Sequence, residues 1–305
     1  KISIENVALK EYFPNNIRKH PLKNIYFLWH TIRSIQQADH VYIGGGGLLY
    51  GKNEEWHSPL KLWWIRAMMV KCFRKPLTYL SLGISASIHE LSPYIKGIFK
   101  WATITVRDGM SKKILEKENY VATLLPDPVF TYEWKRSHSK IIGIALRKGF
   151  LSDETVKETV KWLISLGYEV LLLPHSLHPS DESSHDGYYL QDFLFPGITT
   201  AQSIEQTLEG YKRCHMVISM RLHSMILAVD HSIPFIGISY GQKTSELLEE
   251  MNWSYRYDVS ASSTNIISSI QKIESEYESL SEKLSSFHKE KSTNYYHILS
   301  TVVWK

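Results

Sequence analysis

The 305-residue sequence predicts an α/β protein, with two Rossmann-like domains followed by a long C-terminal amphipathic helix. Three observations predict it. Short β-type runs alternate with helix-type segments almost throughout, which is the pattern of parallel sheets covered by helices. A polar break, Tyr132-Glu-Trp-Lys-Arg-Ser-His-Ser-Lys140, separates two such series. Beyond residue 260 the alternation gives way to a single helical period. The domains are accordingly drawn at 1–135 and 136–258, with a helical extension at 259–305. At 43% hydrophobic residues, the chain has ample material for two cores.

In the first series, strands are expected at 40–44, 77–83, 102–107 and 121–125, with helices near 58–73, 91–100 and 109–118. In the second, strands are expected at 140–147, 168–174, 216–220 and 234–240, with helices near 153–166, 203–213, 222–231 and 242–251. In the extension, apolar residues recur at Ile266, Ile270, Ile273, Tyr277, Leu280, Leu284 and Phe287. Steps of three and four describe one face of a helix. Too few heptads follow one another for a coiled coil, so this face is expected to pack along the chain's own domains.

Charge and cysteine usage narrow the function. Thirty-five Lys and Arg against 31 Asp and Glu give a net charge of +4. Such mild basicity suits a small anionic substrate or an anionic membrane surface and argues against nucleic acid, which needs a dense basic stripe. Cys72 and Cys214 are far apart and in no metal spacing, as expected in a reducing compartment. No apolar run reaches the roughly 20 residues of a membrane span. The chain begins with Lys rather than Met, which is compatible with a trimmed start.

The stretch Val41-Tyr-Ile-Gly-Gly-Gly-Gly-Leu-Leu-Tyr-Gly-Lys-Asn53 superficially resembles a phosphate-binding loop. Asn53 stands where a Walker loop needs a metal-holding hydroxyl, and Glu54 and Glu55 follow. A nucleoside triphosphate is therefore not expected. The glycines instead allow a sharp turn at a strand's carboxyl end, where backbone can approach a ligand. Residues 60–75 mix Trp and aliphatic residues with cations. Lys61, Arg66 and Lys71 spread around a helix, so a mostly buried helix is favoured over one docked on anionic lipid. His175, His178, Asp181, His185 and Asp186 are metal-ligand types in no recognisable spacing, and a solvated loop is expected instead of a metal site.

Cations recur at the predicted strand ends of the second half. Arg147 ends KIIGIALR, Arg221-Leu222-His223 follows HMVISM, and Lys243 follows IGISYGQ. Ligands of open α/β sheets bind at carboxyl strand ends, where helix N-termini favour anions. Arg147, Arg221, His223 and Lys243 thus describe a site for a small, multiply charged anion.

The order GGGGLL, SLGIS, ITVRDGMS, DPVF, IGIALR and SMRLHSMILA…PFIGISYGQK resembles the polysaccharide pyruvyl transferase family over residues 40–255. The long final block is its most specific part. The resemblance implies a GT-B-like arrangement of the two Rossmann-like domains. It implies transfer of a pyruvyl group from phosphoenolpyruvate to a sugar of a cell-surface polysaccharide or its precursor, forming a ketal. It assigns phosphoenolpyruvate to Arg147, Arg221, Leu222, His223 and Lys243 in the second domain, with His223, Arg147 and Lys243 as catalytic groups. The acceptor sugar is expected at Gly45, Gly46 and Gly47, with Asp108 and His175 as further candidates. No metal or cofactor is required, because phosphoenolpyruvate is a substrate. A cytoplasmic enzyme is implied, with a lipid-linked acceptor and peripheral contact at the inner membrane face as extensions of that reading. The opening KISIENVALKEYFPNN departs from the strand and Asn/Gly/Asp-rich loop with which the family commonly begins. The competing readings are a GT-B glycosyltransferase using a nucleotide sugar, as in sialyltransferase-like enzymes, and a non-catalytic glycan-binding protein.

Overall fold

The computed structural model describes residues 21–44, 60–84, 93–131, 139–177, 185–191, 193 and 198–302. The chain divides into two compact units, one of Lys1–Pro128 with Tyr296–Lys305, the other of Val129–Tyr295. Most of the polar break at 132–140 lies outside the described residues, as does the glycine run after Gly44.

The first unit contains α1 (Pro21–Gln37), β1 (Val41–Gly44), α2 (Leu60–Cys72), β2 (Leu77–Leu82), α3 (Pro93–Phe99), β3 (Thr103–Val106), α4 (Gly109–Lys117) and β4 (Thr123–Leu124). The strands form a parallel sheet in the order β1-β2-β3-β4. β2 is buried on nearly every residue, as an inner parallel strand covered on both faces must be. At its end the register against β3 shifts, and Ser81 adopts φ +51°. Two hydrogen bonds hold that bulge: Ser81 N–H donates to Thr105 Oγ1 at 2.8 Å, and Ser81 Oγ donates to the Pro126 carbonyl at 2.9 Å.

The second unit contains β5 (Ile141–Ala145), α5 (Asp153–Ser165), β6 (Glu169–Leu172), α6 (Asp186–Gln191), β7 (Ile198–Thr200), α7 (Ile204–Arg213), β8 (Cys214–Ser219), α8 (Leu222–Asp230), β9 (Phe235–Ser239), α9 (Gln242–Glu250), β10 (Arg256–Asp258), α10 (Ser263–Ser275) and, as far as Tyr295, α11 (Tyr277–Val302). Its sheet is parallel, in the order β10-β9-β8-β5-β6-β7. β5 is central and fully buried. Gly143 in β5 lets Leu173 and Cys214 close over the strand, since a Cβ there would stand 2.7 Å and 2.9 Å from their side chains.

Every strand expected from the sequence is present. β7 and β10, each three residues at a sheet edge, and helices α1 and α6 were not anticipated. The C-terminal apolar face is present but runs over two helices, which part at Glu276 (φ −108°, ψ 11°). Ile266, Ile270, Ile273, Tyr277, Leu280 and Leu284 are all buried in the second unit's core, with Phe287 partly buried against it.

Candidate functional site

Sheet order alone marks one place in the second unit. From β5 the chain proceeds outward through β6 to β7, then returns to the other side of β5 as β8 and continues outward to β9 and β10. The carboxyl ends of β5 and β8 therefore flank the switch point, where open α/β sheets leave a crevice. The two strands stay paired to this point, with Met220 N–H donating to the Ala145 carbonyl at 2.9 Å. One residue beyond Met220 comes Arg221, and two beyond Ala145 comes Arg147.

Each cation here is held in its own way. The Arg147 guanidinium lies 5.2 Å from the Phe150 ring centroid and 5.3 Å from that of Tyr240. Those two rings are themselves 4.7 Å apart, so the end of β9 and the turn after β5 cradle one arginine. Gly149, at φ +83°, makes that turn possible. Arg221 is gripped by Asp186: Nε donates to Oδ2 at 3.1 Å and Nη2 donates to Oδ1. The same Oδ2 accepts the backbone N–H groups of His175 and Ser176, at 3.1 and 3.0 Å. Asp186 is 3% exposed, so the expectation of a solvated loop fails at this residue. His178 and Asp181 lie outside the described residues, and among those described no three His, Cys, Asp or Glu gather as a metal site.

Leu222 and His223 are the first two residues of α8, and Lys243 is the second residue of α9. His223 is exposed and Lys243 half-buried. Both helices begin without a side-chain cap, at Arg221 and Gly241. By contrast Asp108, Ser152, Ser203 and Ser262 cap α4, α5, α7 and α10. Neither Arg221 nor Gly241 caps its own helix with a side chain, and the helix dipoles add positive potential there.

His175, at the end of β6, is brought to this edge as well. Its Nε2 is 2.7 Å from the Tyr211 hydroxyl, which donates to Ser224 Oγ at 2.6 Å. With that proton on the Ser224 side, Nε2 carries the imidazole proton and Nδ1 is left as acceptor. The residue keeps some exposed surface, but its ring is enclosed. Burial, then the charges of His223 and Arg221, push its pKa down to about 3. It is a neutral group beside cations.

In the first unit, Gly45, Gly46 and Gly47 lie outside the described residues. Asp108 caps α4, accepting from Ser111 N–H at 2.6 Å. The structure therefore places Asp108 in one unit and His175 in the other. Beside Asp108, Arg107 is 3.0 Å from Asp127, both side chains less than a tenth exposed. Gly83 makes room for this guanidinium, since a Cβ there would meet it at 2.9 Å. α2 is largely half-buried against the first core, as its dispersed cations suggest. Arg66 stacks over Trp63 at 4.8 Å, with its pKa lowered by burial.

Comparison with known proteins adds a family and a fold. The family model for polysaccharide pyruvyl transferase matches residues 4–242. The chain belongs to that family. Among curated proteins none matches significantly. Among solved structures, a Listeria monocytogenes protein assigned as a UDP-N-acetylglucosamine 2-epimerase is similar at TM-score 0.56 and 12% identity, covering 85% of this chain and 74% of that one. The Anabaena protein HepE, solved in complex with UDP, has TM-score 0.55 and 10% identity, covering 92% and 82%. The Methanocaldococcus jannaschii UDP-N-acetylglucosamine 2-epimerase has TM-score 0.50 and 11% identity, covering 79% and 73%. At such identities the likeness shows the fold, which is GT-B-like.

Several groups around this pyruvyl transferase-family site were not found by sequence reasoning. Asp186 was grouped with metal-ligand types, and Phe150, Tyr240, Tyr211 and Ser224 drew no attention. A signal existed for two of them: Phe150 follows Arg147 by three residues, and Tyr240 precedes Lys243 by three. Asp127, Arg107 and Gly83 come from DPVF, ITVRDGMS and SLGIS, so three of the quoted motifs meet in one buried ion pair of the first unit.

Proposed function

We propose that this protein transfers the pyruvyl group of phosphoenolpyruvate to a sugar, forming a pyruvate ketal, and that phosphoenolpyruvate binds at the switch point of the second unit. The observation that carries this reading is the gathering of Arg147, Arg221, His223 and Lys243 at carboxyl strand ends and uncapped helix N-termini of one sheet edge. Phosphoenolpyruvate has a carboxylate and a phosphate, and such a donor needs several fixed cations. A mostly neutral ligand would gain nothing from them.

The chemistry follows from the donor. Protonation of the methylene carbon makes C2 electrophilic. A sugar hydroxyl adds to C2 and loses its proton. The C2–O bond to phosphate breaks, and a second hydroxyl adds, releasing a proton and closing the ketal. In this reading His223 handles the proton or stabilises the phosphate, because an imidazole can both donate and accept a proton and here stands exposed at a helix start. Arg147 and Arg221 hold the two anionic groups, the backbone N–H of Leu222 donates to an oxygen, and Lys243 stabilises the departing phosphate. With a pKa of about 3, His175 is a poor base and serves as a neutral hydrogen-bonding wall. Asp108 already caps a helix, so the sugar's proton acceptor is sought elsewhere than at these two residues.

Titration calorimetry with phosphoenolpyruvate, pyruvate, inorganic phosphate and UDP tests the reading. A site that engages both anionic ends binds phosphoenolpyruvate at least ~10-fold more tightly than either fragment. UDP binding more tightly than phosphoenolpyruvate would overturn it in favour of a nucleotide-sugar enzyme.

A further inference from the structure

Helix α1 leaves one apolar face unburied. On a helix that packs on a domain, apolar residues face the core and polar ones face water. Here Asn24 and Thr31 are buried with Ile35 on one side. On the opposite side Leu22, Ile25, Tyr26 and Trp29 are exposed at 81, 68, 61 and 54%. Their spacing of i, i+3, i+4 and i+7 puts them in one stripe. Among the described residues ten large apolar side chains are exposed, and four of them stand together here, so scatter does not account for them. Arg33 continues the stripe one turn on, with its guanidinium 5.3 Å from the Trp29 ring.

Charge selects the occupant. Along α1 the charged residues are Lys23 and Arg33, with not one Asp or Glu. A second copy docked through the same stripe in a two-fold arrangement would set this cationic segment against itself. An anionic bilayer surface complements it: Trp and Tyr suit the headgroup boundary, and each nearby Lys or Arg adds about 1 kcal/mol of attraction. No described helix is long and apolar enough to cross a membrane, so any contact through α1 is with the surface.

We infer that the exposed face of α1 docks the protein on the surface of an anionic lipid bilayer. The inference does not rest on the proposed donor chemistry. It is tested by flotation of the full chain with vesicles of phosphatidylcholine alone or mixed with phosphatidylglycerol, comparing wild type with the double variant Ile25→Ser, Trp29→Ser. Both side chains are exposed, so the variant is expected to melt like wild type. The expected result is co-flotation with phosphatidylglycerol vesicles only, reversed by high salt and reduced at least ~10-fold in the variant. Failure of wild type to float, or equal flotation of the variant, overturns the inference. So does a wild-type dimer on size exclusion that the variant dissolves while lipid has no effect, because a second copy would then cover the face.

Discussion

At the residue scale, Asp186 ties together two strand ends of the second unit, a role that its place among metal-ligand types does not signal. One carboxylate ties Arg221, after β8, to the backbone that follows β6. It uses the Nε and Nη2 edge of the guanidinium, which fixes the plane of that group. A buried carboxylate accepting four hydrogen bonds cannot be replaced by an amide without setting a donor against donors. Asp186→Asn is therefore expected to lower stability by about 3 kcal/mol, read from urea unfolding. A loss below ~1 kcal/mol would mean that the ion pair does not hold the loop. The same hub explains why the site was only partly legible. Arginines at strand ends can be read from a sequence, because hydrophobic runs mark where strands stop. The partner of Arg221 lies 35 residues away in α6, a six-residue helix with no periodicity to reveal it.

At the element scale, strands were the most legible feature, since inner parallel strands are continuous apolar runs bounded by polar turns. The missed strands, β7 and β10, are edge strands with few buried residues, and their residues do not resemble a core. α1 is apolar on most of its circumference, with Phe27, Leu28 and Ile32 half-buried beside the exposed stripe, so no single face marks it in the sequence. The extension reads as one helix because its stripe continues across the break at Glu276, where side-chain spacing does not register a local change of backbone. The uncapped start of α9 yields a direct prediction. Gly241 sits in extended backbone that any residue can adopt, and a Cβ there would meet nothing within 4 Å. Gly241→Asp would cap the helix and raise stability by a few tenths of a kcal/mol. It would also occupy the first N–H groups and place a negative charge beside Lys243, so phosphoenolpyruvate affinity is expected to fall at least ~10-fold. Unchanged affinity in calorimetry would show that the start of α9 is not part of the anion site.

At the scale of the whole molecule, two histidines are kept neutral inside the second unit. His175 is pushed down to about 3 and His231 to about 4, burial being the larger cause for both. Unfolding returns each to the ordinary 6.5, so the unfolded chain binds more protons between these values. Stability from this source is complete above ~pH 7 and is lost as pH falls from ~6.5 toward ~4. The melting temperature should follow that course, and the double variant His175→Asn, His231→Gln should show a flatter limb between ~pH 6.5 and ~5, where few carboxylates titrate. An identical limb would remove these histidines as its cause.

The GT-B-like fold is shared with proteins whose structures hold UDP, so the fold alone does not name the donor, and donor binding is what has to be measured. A ligand that binds only the folded chain must raise its melting temperature. The most direct test is therefore thermal unfolding with and without millimolar phosphoenolpyruvate, for wild type and for Arg147→Ala. The prediction is a rise in wild type that disappears in the variant, whose unliganded melting temperature stays close to that of wild type. No rise in wild type, or an equal rise in Arg147→Ala, would contradict phosphoenolpyruvate binding at the second unit's switch point.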